Sequence, residues 1–502
     1  MSNRLGQNNG SAPGNPSKYP AFLTVFPSIM LPMFLAVVDQ TIIATALPAI
    51  AASTGGHVER TSWIVVSYLI AATIAAPIYG RLGDSFGRRK IMFVALPIFI
   101  AASLLCAAAP TIELLTLARV LQGLGGGGLM TLTQALIGEV IPPRERARYQ
   151  GYLAAVAVSA NTFGPVAGGY LTEHFGWQSI FLVNVPIGLA AMVLVRRLPK
   201  STRERVPWRT DTGGVAFFAI FVITALLALE QIQHADTAAI PLGVALLAAS
   251  LIALWVLIRY EKRMSEPLIP VTLLRHPVMW RSDAMAAFHG AALVSLLTFL
   301  PVYLQLVRGM SPSETGVMLV PLTVGIGTGS LLTGRMVSKT GFTTIFPVIG
   351  LSLATLSLVA LALWASALGD TALLALFLWI GLCMGTIMGV VQVIVQSTAG
   401  LARLGEAAAS VQFSRSIGAA FGTATVATII FGLLSFKQPE AANILGSLIG
   451  NVHQAGVPAL SPARQAAFRA DLQDAFRLAF LTIAGFTTVG LSLAATNPMR
   501  RI

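Results

Sequence analysis

The chain has few charged residues and only two cysteines. Charged residues make up 11% of its 502 residues, whereas soluble domains carry roughly a quarter of their residues as charge. A deficit of this size excludes an ordinary cytosolic globular protein, a disordered chain and a collagen-like fibre. Cys106 and Cys383 both lie in apolar segments, so the sequence predicts neither a disulfide framework nor a metal cluster.

The chain also lacks the motifs that mark a catalytic or nucleotide-binding domain. It has no His-rich metal pattern and no nucleophile elbow. The glycine-rich stretch Gly123–Gly128 is not followed by the Lys-Ser/Thr pair that holds phosphates, which excludes an ATP-driven pump. We therefore expect no enzyme activity and no cofactor.

Long apolar segments fill the rest of the chain, which is 55% hydrophobic with a mean hydropathy of +0.77. A helix needs about 20 apolar residues to cross a bilayer, and its backbone groups must be hydrogen-bonded within the segment. The sequence therefore predicts an all-α polytopic membrane protein with fourteen transmembrane helices, the first of them a retained helix and not a cleaved signal. Their bounds are 22–48, 62–82, 91–109, 112–138, 149–171, 178–195, 213–232, 239–259, 283–306, 314–336, 343–366, 371–397, 406–435 and 475–496.

The net charge of +13 arises from the segments between the spans. Fourteen spans place both termini on one side, and the positive-inside rule selects the cytoplasm. In that orientation 25 of the 33 basic residues fall in cytoplasmic segments or at the cytoplasmic ends of the spans. The basic excess is therefore a sign of membrane topology and not of nucleic-acid binding.

The chain contains an internal repeat. Gly80-Arg-Leu-Gly-Asp-Ser-Phe-Gly87 and Gly334-Arg-Met-Val-Ser-Lys-Thr-Gly341 both begin with Gly-Arg and end with Gly, and they lie 254 residues apart. Six spans of about 20 residues with their loops are shorter than this offset, so two further helices are expected between the halves. Parallel repeats are one transporter plan, with the substrate site near mid-membrane between them.

The repeat predicts a domain organisation. A cytoplasmic tail (1–20) precedes an N-terminal six-helix bundle (21–197), a linker with two inserted helices (198–265), a C-terminal six-helix bundle (266–496) and a second cytoplasmic tail (497–502). Residues 437–474 form the one long external loop. Within it, the spacing of Phe468, Leu472 and Phe476 after Pro462 predicts an amphipathic helix at the membrane surface that leads into the last span.

The string Gly80–Lys90 joins the second and third predicted helices on the cytoplasmic face. Its glycines permit a close helix approach and a tight turn, and Asp84 can pair with a cation or cap a helix start. An alternative for the basic residues is a plain positive-inside anchor. We predict a gate that latches the two halves in one conformation, formed by Gly83, Asp84, Gly87, Arg88 and Arg89.

Two charged side chains fall inside predicted spans of the first half. Asp39 lies in the first span, and because a charged carboxylate is costly to bury there, it is suited to take up and release a proton. Arg119 lies in the fourth span, where a permanent cation needs a partner or water. We predict that Arg119 faces Asp39 and that the pair couples protons to transport. The alternatives are a structural acid and an arginine that only satisfies backbone carbonyls.

The fifth predicted helix carries the string Gly164-Pro165-Val-Ala-Gly168-Gly169. Gly164 and Gly168 are spaced for close helix packing, and Pro165 lacks the N–H that a helix uses. The string predicts a bent, tightly packed helix, with a plain packing motif as the alternative. Weaker candidates for a substrate cavity are Gln122, Asn161, His289, Gln305 and Arg415.

These strings resemble signatures of the major facilitator superfamily, in particular of its fourteen-helix drug:proton antiporter family. Gly80–Lys90 resembles the superfamily's loop 2–3 signature, and Asp39–Pro48 resembles the helix-1 motif of the fourteen-helix group. Arg119–Gly128 resembles the helix-4 motif whose Arg is implicated in proton handling, and Gly164–Gly169 resembles the helix-5 motif of antiporters. The resemblance implies alternating access by two rocking bundles, with export driven by proton entry.

The sequence departs from this family in two places. Ala44 stands where the helix-1 motif commonly has Asn, and helices 10 to 12 have no acids beyond Glu314 and Asp370 at their ends. Family members that export cationic drugs often carry acids in these spans. The departure favours a neutral, aromatic or anionic compound and leaves an uptake role open, since some superfamily members import metabolites or vitamins such as riboflavin.

Taken together, the residues and the resemblance predict a proton-coupled antiporter that exports small amphipathic or drug-like molecules by alternating access. We expect it in a bacterial-type inner membrane, as a monomer, with a small-molecule substrate, protons and the lipid bilayer as its partners and no nucleic acid. The alternative is an importer or facilitator of a specific metabolite or vitamin such as riboflavin.

Overall fold

The computed structural model describes residues 22–54, 58–198, 211–233, 240–264, 275–437 and 462–502. The predicted tail 1–20, most of the linker before and after the inserted helices, and residues 438–461 of the predicted external loop lie outside these ranges. The described chain is helical apart from turns, short 3-10 segments and one isolated bridge between Phe342 and Arg501. This follows from the apolar composition, because a helix satisfies its backbone groups internally.

The helices follow one another with short connections. The first half contains α1 (Phe22–Ile42), α2 (Leu47–Thr54), α3 (Val58–Phe86), α4 (Arg88–Ala107), α5 (Ile112–Val140), α6 (Pro143–Phe175), α7 (Ser179–Leu182) and α8 (Asn184–Val195). The middle of the chain contains α9 (Thr212–Gln233) and α10 (Ile240–Glu261). The second half contains α11 (Pro277–Leu306), α12 (Pro312–Thr340), α13 (Ile345–Trp364), α14 (Asp370–Met384), α15 (Met388–Ala399), α16 (Leu404–Lys437) and α17 (Pro462–Ala495).

Eleven helical segments of the described chain are long and apolar enough to cross a membrane. The other three predicted spans (112–138, 149–171 and 178–195) also lie on helices, namely α5, α6 and the pair α7–α8. The prediction of an all-helical chain with many membrane-spanning helices is thus confirmed for the described residues. The count of fourteen and the orientation of the termini stay predictions.

Two large apolar clusters form the interior. One contains buried residues between Ile29 and Leu198, and the other contains buried residues between Met279 and Ala494. In the first half α5 packs on α3 and α4, and in the second half α11 packs on α16 and α17. The halves meet mainly along two helix pairs, α3 with α16 and α6 with α12, and α5 with α16 and α6 with α15 add smaller contacts.

The two repeated strings occupy equivalent places in the halves. Gly87 ends α3 with a φ of 98°, and Gly341 ends α12 with a φ of 76°, a backbone conformation that favours glycine. A Cβ on Gly80 would lie 2.8 Å from the carbonyl carbon of Gly405, and one on Gly334 would lie 3.1 Å from that of Ala147. Each string therefore begins where its helix touches the backbone of the opposite half.

The structure differs from the sequence-based prediction after residue 461. The part of the predicted external loop from Pro462 onward belongs to α17, which runs without a break into the last span. Phe468, Leu472 and Phe476 are buried in the second apolar cluster and do not lie at a membrane surface. The ring of Phe476 lies 5.5 Å from that of Tyr303 on α11, so packing within the bundle accounts for the apolar spacing.

Candidate functional site

The structure brings Asp39 of α1 and Arg119 of α5 into a buried ion pair. Arg119 Nη1 lies 2.7 Å from Asp39 Oδ2, and both side chains are buried. The same nitrogen donates to Gln122 Oε1 at 2.7 Å, and Arg119 Nε donates to the carbonyl oxygen of Ile64 in α3 at 3.2 Å. Each of the two charges is therefore compensated inside the first half.

The second carboxylate oxygen of Asp39 accepts two amide N–H groups. Gln122 Nε2 and Asn184 Nδ2 each donate to Asp39 Oδ1 at 2.7 Å. Gln122 Nε2 also donates to Ser103 Oγ at 2.9 Å. We call Asp39, Arg119, Gln122, Asn184 and Ser103 the Asp39 network. A proton on Asp39 would turn one acceptor oxygen into a donor, which conflicts with a donor already pointing at it.

Glycines on α5 bring the neighbouring helices close to Arg119. The guanidinium carbon of Arg119 lies 4.2 Å from the centroid of the Tyr68 ring on α3, which is a cation–π contact. A Cβ on Gly125 would lie 2.8 Å from the backbone nitrogen of Phe99, and one on Gly127 would lie 2.8 Å from the Cα of Ala72. Because no real side chain fits at these distances, the glycine-rich stretch fixes the spacing that the network needs.

A second polar cluster joins the two halves where α3 ends. Asp84 accepts the backbone N–H groups of Gly405 at 3.0 Å and Glu406 at 3.1 Å, at the start of α16. The first N–H groups of a helix have no partner within it, and its positive end favours a carboxylate. Arg81 Nη1 forms an ion pair with Glu406 Oε1 at 3.1 Å. We call Arg81, Asp84, Arg88, Gly405 and Glu406 the latch.

Arg88 holds Asp84 from its own half. Its Nη2 pairs with Asp84, and its Nη1 donates to Glu139 Oε2 at 2.7 Å near the end of α5. Gly83 lies beside this pair, where a Cβ would come within 2.8 Å of Leu132 and 3.2 Å of Arg88. Asp84, Arg88 and Gly83 of the predicted gate therefore lie together.

The remaining predicted gate residues lie at its margin. Gly87 supplies the turn between α3 and α4, with no heavy atom near its missing side chain. Arg89 Nη2 donates to the backbone oxygen of Arg196 at 2.7 Å. Arg89 is thus bonded to the end of the first half and not to the second half.

The glycines of α6 contact the motif of α1. A Cβ on Gly164 would lie 3.0 Å from the Cβ of Thr41, and one on Gly168 would lie 3.0 Å from Cγ1 of Ile42. A Cβ on Gly169 would meet open space. Pro165 lies inside α6, which stays one continuous helix from Pro143 to Phe175. Gly164 and Gly168 thus make the predicted close contact, whereas a functional bend at Pro165 stays a prediction.

The five weaker cavity candidates do not form one site. Gln122 is buried in the Asp39 network, and Asn161 is exposed on α6. Buried His289 on α11 has its Nε2 3.1 Å from the Met384 carbonyl oxygen. Gln305 lies sixteen residues further along α11, which is about 24 Å of helix. Arg415 on α16 is half-buried.

Sequence reasoning missed several members of both clusters. Asn184 and Ser103 each stand alone in an apolar helix, so only the fold shows that Asn184 donates to Asp39 and that Ser103 accepts from Asn184 and Gln122. Glu406 and Glu139 lie near helix ends, where a solvated acid is the usual expectation. Arg81 stands inside the Gly80–Lys90 string, and that position was the one available signal for it.

Comparison with known proteins identifies the family. Residues 29–423 match the family model of the Major Facilitator Superfamily, and the chain belongs to this superfamily. Multidrug transporter protein MdtP of Bacillus subtilis is 30% identical over 84% of this chain and 77% of its own length. An MFS-type transporter of Mycobacterium tuberculosis is 32% identical over 83% of this chain, and the match spans 61% of that relative's length.

Solved structures show the same fold at low identity. The human organic anion transporter MFSD10 superposes with a TM-score of 0.66 at 14% identity, covering 95% of this chain and 100% of its own. The proton:xylose symporter XylE gives a TM-score of 0.62 at 14% identity, covering 96% of this chain and 97% of its own. The predictions of superfamily membership, of a multi-pass membrane protein and of a transporter instead of an enzyme are confirmed.

Proposed function

We propose that this protein is a proton-coupled antiporter that exports small amphipathic or drug-like molecules by alternating access. The single observation that carries the proposal is the Asp39 network, a membrane-buried carboxylate paired with a buried arginine. Relatives with the printed names multidrug transporter protein MdtP and multidrug resistance protein 3 support the substrate class.

Protonation of Asp39 is the coupling step in this proposal. A proton removes the negative charge that holds Arg119, and the guanidinium then needs another partner, because an unpaired buried charge is costly. Arg119 is bonded to the Ile64 carbonyl and lies against Tyr68, both on α3. Loss of the pair therefore acts first on α3.

The latch connects the same helix to the opposite half. Asp84 lies near the end of α3, sixteen residues after Tyr68, and caps the start of α16. A shift of α3 relative to α16 would withdraw Asp84 from the Gly405 and Glu406 N–H groups and break the Arg81–Glu406 pair. We propose that the structure represents the state closed at this end, and that latch release opens it.

The membrane arrangement completes the proposal. We propose fourteen transmembrane helices, formed by two six-helix bundles with α9 and α10 inserted, and both termini in the cytoplasm of a bacterial-type inner membrane. The support is the bias of basic residues, the helical course of every predicted span and the separation of the two apolar clusters. In this orientation the latch is cytoplasmic, so the described state faces outward. We propose a monomer as the working unit.

The test is proton-driven transport by the Asp39→Asn variant in proteoliposomes. The panel contains ethidium, 2-naphthamide and 2-naphthoate as cationic, neutral and anionic aromatic probes. We expect wild-type protein to move at least one probe against its gradient when a pH gradient is imposed. Asp39→Asn should lose this transport at least tenfold, because it cannot exchange the proton.

Asp370→Asn is the matched control, since Asp370 is an exposed acid at the start of α14 and should leave transport unchanged. Asp39→Asn protein that is folded and still drives concentrative export would disprove the coupling role. Accumulation of probe in intact cells that express the wild-type protein would overturn the export direction and favour the importer.

A further inference from the structure

The second half contains a charge in a candidate membrane span for which the described residues supply no countercharge. Arg415 lies eleven residues into α16, about 16 Å along the helix, within the candidate span Leu401–Phe436. Among the described residues, the ion pairs involve other arginines, and no hydrogen bond or ion pair is made by Arg415. Arg415 as a whole residue is half-buried.

The acids on α16 and on the helix segments packed against its start form no ion pair with Arg415 in the described chain. Glu406 on the same helix pairs with Arg81, and Asp84 of α3 caps α16. Asp283 of α11 accepts a hydrogen bond from Ser410 at 3.2 Å, five residues before Arg415. One buried carboxylate oxygen of Asp283 has no hydrogen-bond partner in the described chain, but Asp283 does not pair with Arg415. Arg119 in the first half has Asp39 as a countercharge, whereas Arg415 has none in the described chain.

The packing between α11 and α16 leaves room for this side chain. A Cβ on Gly290 would lie 3.2 Å from Cγ of Arg415, and one on Gly422 would lie 2.5 Å from Cα of Ala291. The stem of Arg415 therefore runs across the glycine surface of α11. A side chain at position 290 would clash with the backbone carbonyl group of Arg415 and come close to its Cγ.

A second polar atom near Arg415 is also unpartnered. His289 immediately precedes Gly290, whose missing side chain faces Arg415. The Nε2 atom of His289 faces the Met384 carbonyl oxygen and so carries the hydrogen. His289 Nδ1 is buried and has no hydrogen-bond partner in the described part of the protein. The carboxylate of an anion has no donor for this atom, so it would be satisfied by a donor elsewhere on an incoming molecule or by water.

An uncompensated arginine in a membrane interior is costly and marks a substrate pathway or a missing partner. We infer that Arg415 is the binding site for the acidic group of the substrate, and that the transported class is organic monoanions with an apolar body, such as aromatic carboxylates. A guanidinium binds a carboxylate with two parallel hydrogen bonds. This inference rests on the proposed transport function and adds its substrate class.

Export of an anion bound at Arg415 would change the net charge that crosses the membrane in each transport cycle. Exchange of one outgoing monoanion for one incoming proton transfers the equivalent of two positive charges inward. Exchange of a neutral molecule for one proton transfers one positive charge. An interior-negative potential should therefore accelerate export of 2-naphthoate more than export of 2-naphthamide, two probes that differ in charge and little in shape.

The first experiment measures equilibrium binding of 2-naphthoate and 2-naphthamide to the purified full-length protein in detergent at neutral pH. We expect wild-type protein to bind 2-naphthoate at least tenfold more tightly than 2-naphthamide. Equal affinities would overturn the inference. This comparison uses wild-type protein alone, so it stands even if a variant does not fold.

Variants then assign the preference to one residue. Arg415→Gln should lower the 2-naphthoate affinity at least tenfold and leave the 2-naphthamide affinity within twofold, and Arg415→Lys should retain part of the preference. Arg281→Gln is the matched control, because Arg281 lies near the start of α11 and donates to the Thr496 carbonyl at 2.9 Å. If Arg415→Gln still prefers 2-naphthoate over 2-naphthamide as strongly as the wild-type protein, the anion binds at another site and the inference is wrong.

Two further outcomes separate this inference from the proposed function. Asp39→Asn should bind 2-naphthoate with the wild-type preference even though proton-driven transport is lost. If wild-type protein exports ethidium for protons and shows no preference for the anion, the antiporter proposal stands and the Arg415 inference is wrong. If the anion binds through Arg415 and no probe is moved by a proton gradient, the inference stands and the antiporter proposal is wrong.

Discussion

At the scale of single residues, the two halves treat a buried arginine differently. Arg119 is held by Asp39, Gln122 and a backbone carbonyl, and a buried ion pair of this kind is tolerable only because further hydrogen bonds satisfy both partners. Arg415 instead makes no hydrogen bond or ion pair with any described residue. The Asp39–Arg119 arrangement suits a carboxylate whose charge is removed by a proton. The Arg415 arrangement suits binding of an acidic group of the substrate.

Replacing Arg119 should expose the cost of an unpaired Asp39. We expect Arg119→Met to destabilise the folded protein by about 3–5 kcal/mol, the usual effect of breaking a buried pair. The double variant Arg119→Met with Asp39→Asn should be more stable than Arg119→Met alone, because it also removes the stranded carboxylate. Unfolding in detergent followed for the four proteins of this cycle gives the coupling free energy.

The partly exposed pair Arg308–Asp370 provides the comparison for that cycle. Its coupling should be about 0–1 kcal/mol, as for other surface pairs. If the changes in unfolding free energy caused by the two single substitutions at positions 39 and 119 add up to that of the double variant, the ion pair contributes nothing to the stability of the folded state.

At the scale of the helix, α3 links the two polar clusters. Its middle presents the Ile64 carbonyl and the Tyr68 ring to Arg119, and its end presents Asp84 to the start of α16. The contact between α3 and α16 is set by Gly80 and Gly405, whose backbones touch. A rigid helix with these two attachments can transmit a local change in charge to the opposite half.

Gly80→Val should separate α3 from α16 at this end, because the added Cβ would lie 2.8 Å from the carbonyl carbon of Gly405. We expect the population to shift toward the state open at the latch. Spin labels on Lys90→Cys and Lys339→Cys, two exposed positions in opposite halves, should report a longer distance by pulsed electron resonance. The native cysteines are buried.

Gly169→Val serves as the control for that measurement, since a side chain at position 169 meets open space. It should leave the distance distribution unchanged. An unaltered distribution in Gly80→Val would show that the latch end does not depend on this backbone contact.

At the scale of the whole molecule, two bundles meet mainly along two helix pairs and carry an inserted hairpin against one of them. The inserted helix α9 packs against both α3 and α16. The ring centroids of Phe218 on α9 and Phe413 on α16 lie 5.2 Å apart. The hydrogen bonds that join the halves concentrate at the latch end, including the one from Gln396 to the Gln134 carbonyl at 2.9 Å. The molecule is thus closed at the end where the basic residues accumulate.

The orientation can be measured directly in intact cells. Arg308→Cys, between α11 and α12, should react with a membrane-impermeant maleimide added outside. Arg89→Cys, at the latch end, should react only after the membrane is permeabilised, because the positive-inside rule places it in the cytoplasm. Labelling of Arg89→Cys in sealed cells would reverse the proposed topology and the direction in which the described state faces.

Much of the site could be predicted from the sequence because its residues carry local physical signals. A charged side chain in an apolar segment, as at Asp39 and Arg119, is conspicuous because burial in lipid is costly. The string around Asp84 combines glycines with charge at a helix end. Asn184, Ser103 and Glu406 gave no such signal, because their roles depend on partners 19 or more residues away in the chain.

The sequence by itself determined the membrane class, the helical architecture and the superfamily, because apolar length, charge bias and short motifs are local properties of the chain. Only the tertiary structure decided which charges are compensated. It pairs Asp39 with Arg119 and places Asp84 at the start of α16, and among the described residues it gives Arg415 no countercharge. Pairing between helices depends on their rotation and separation, and these are fixed by glycine contacts and core packing distributed over the whole chain.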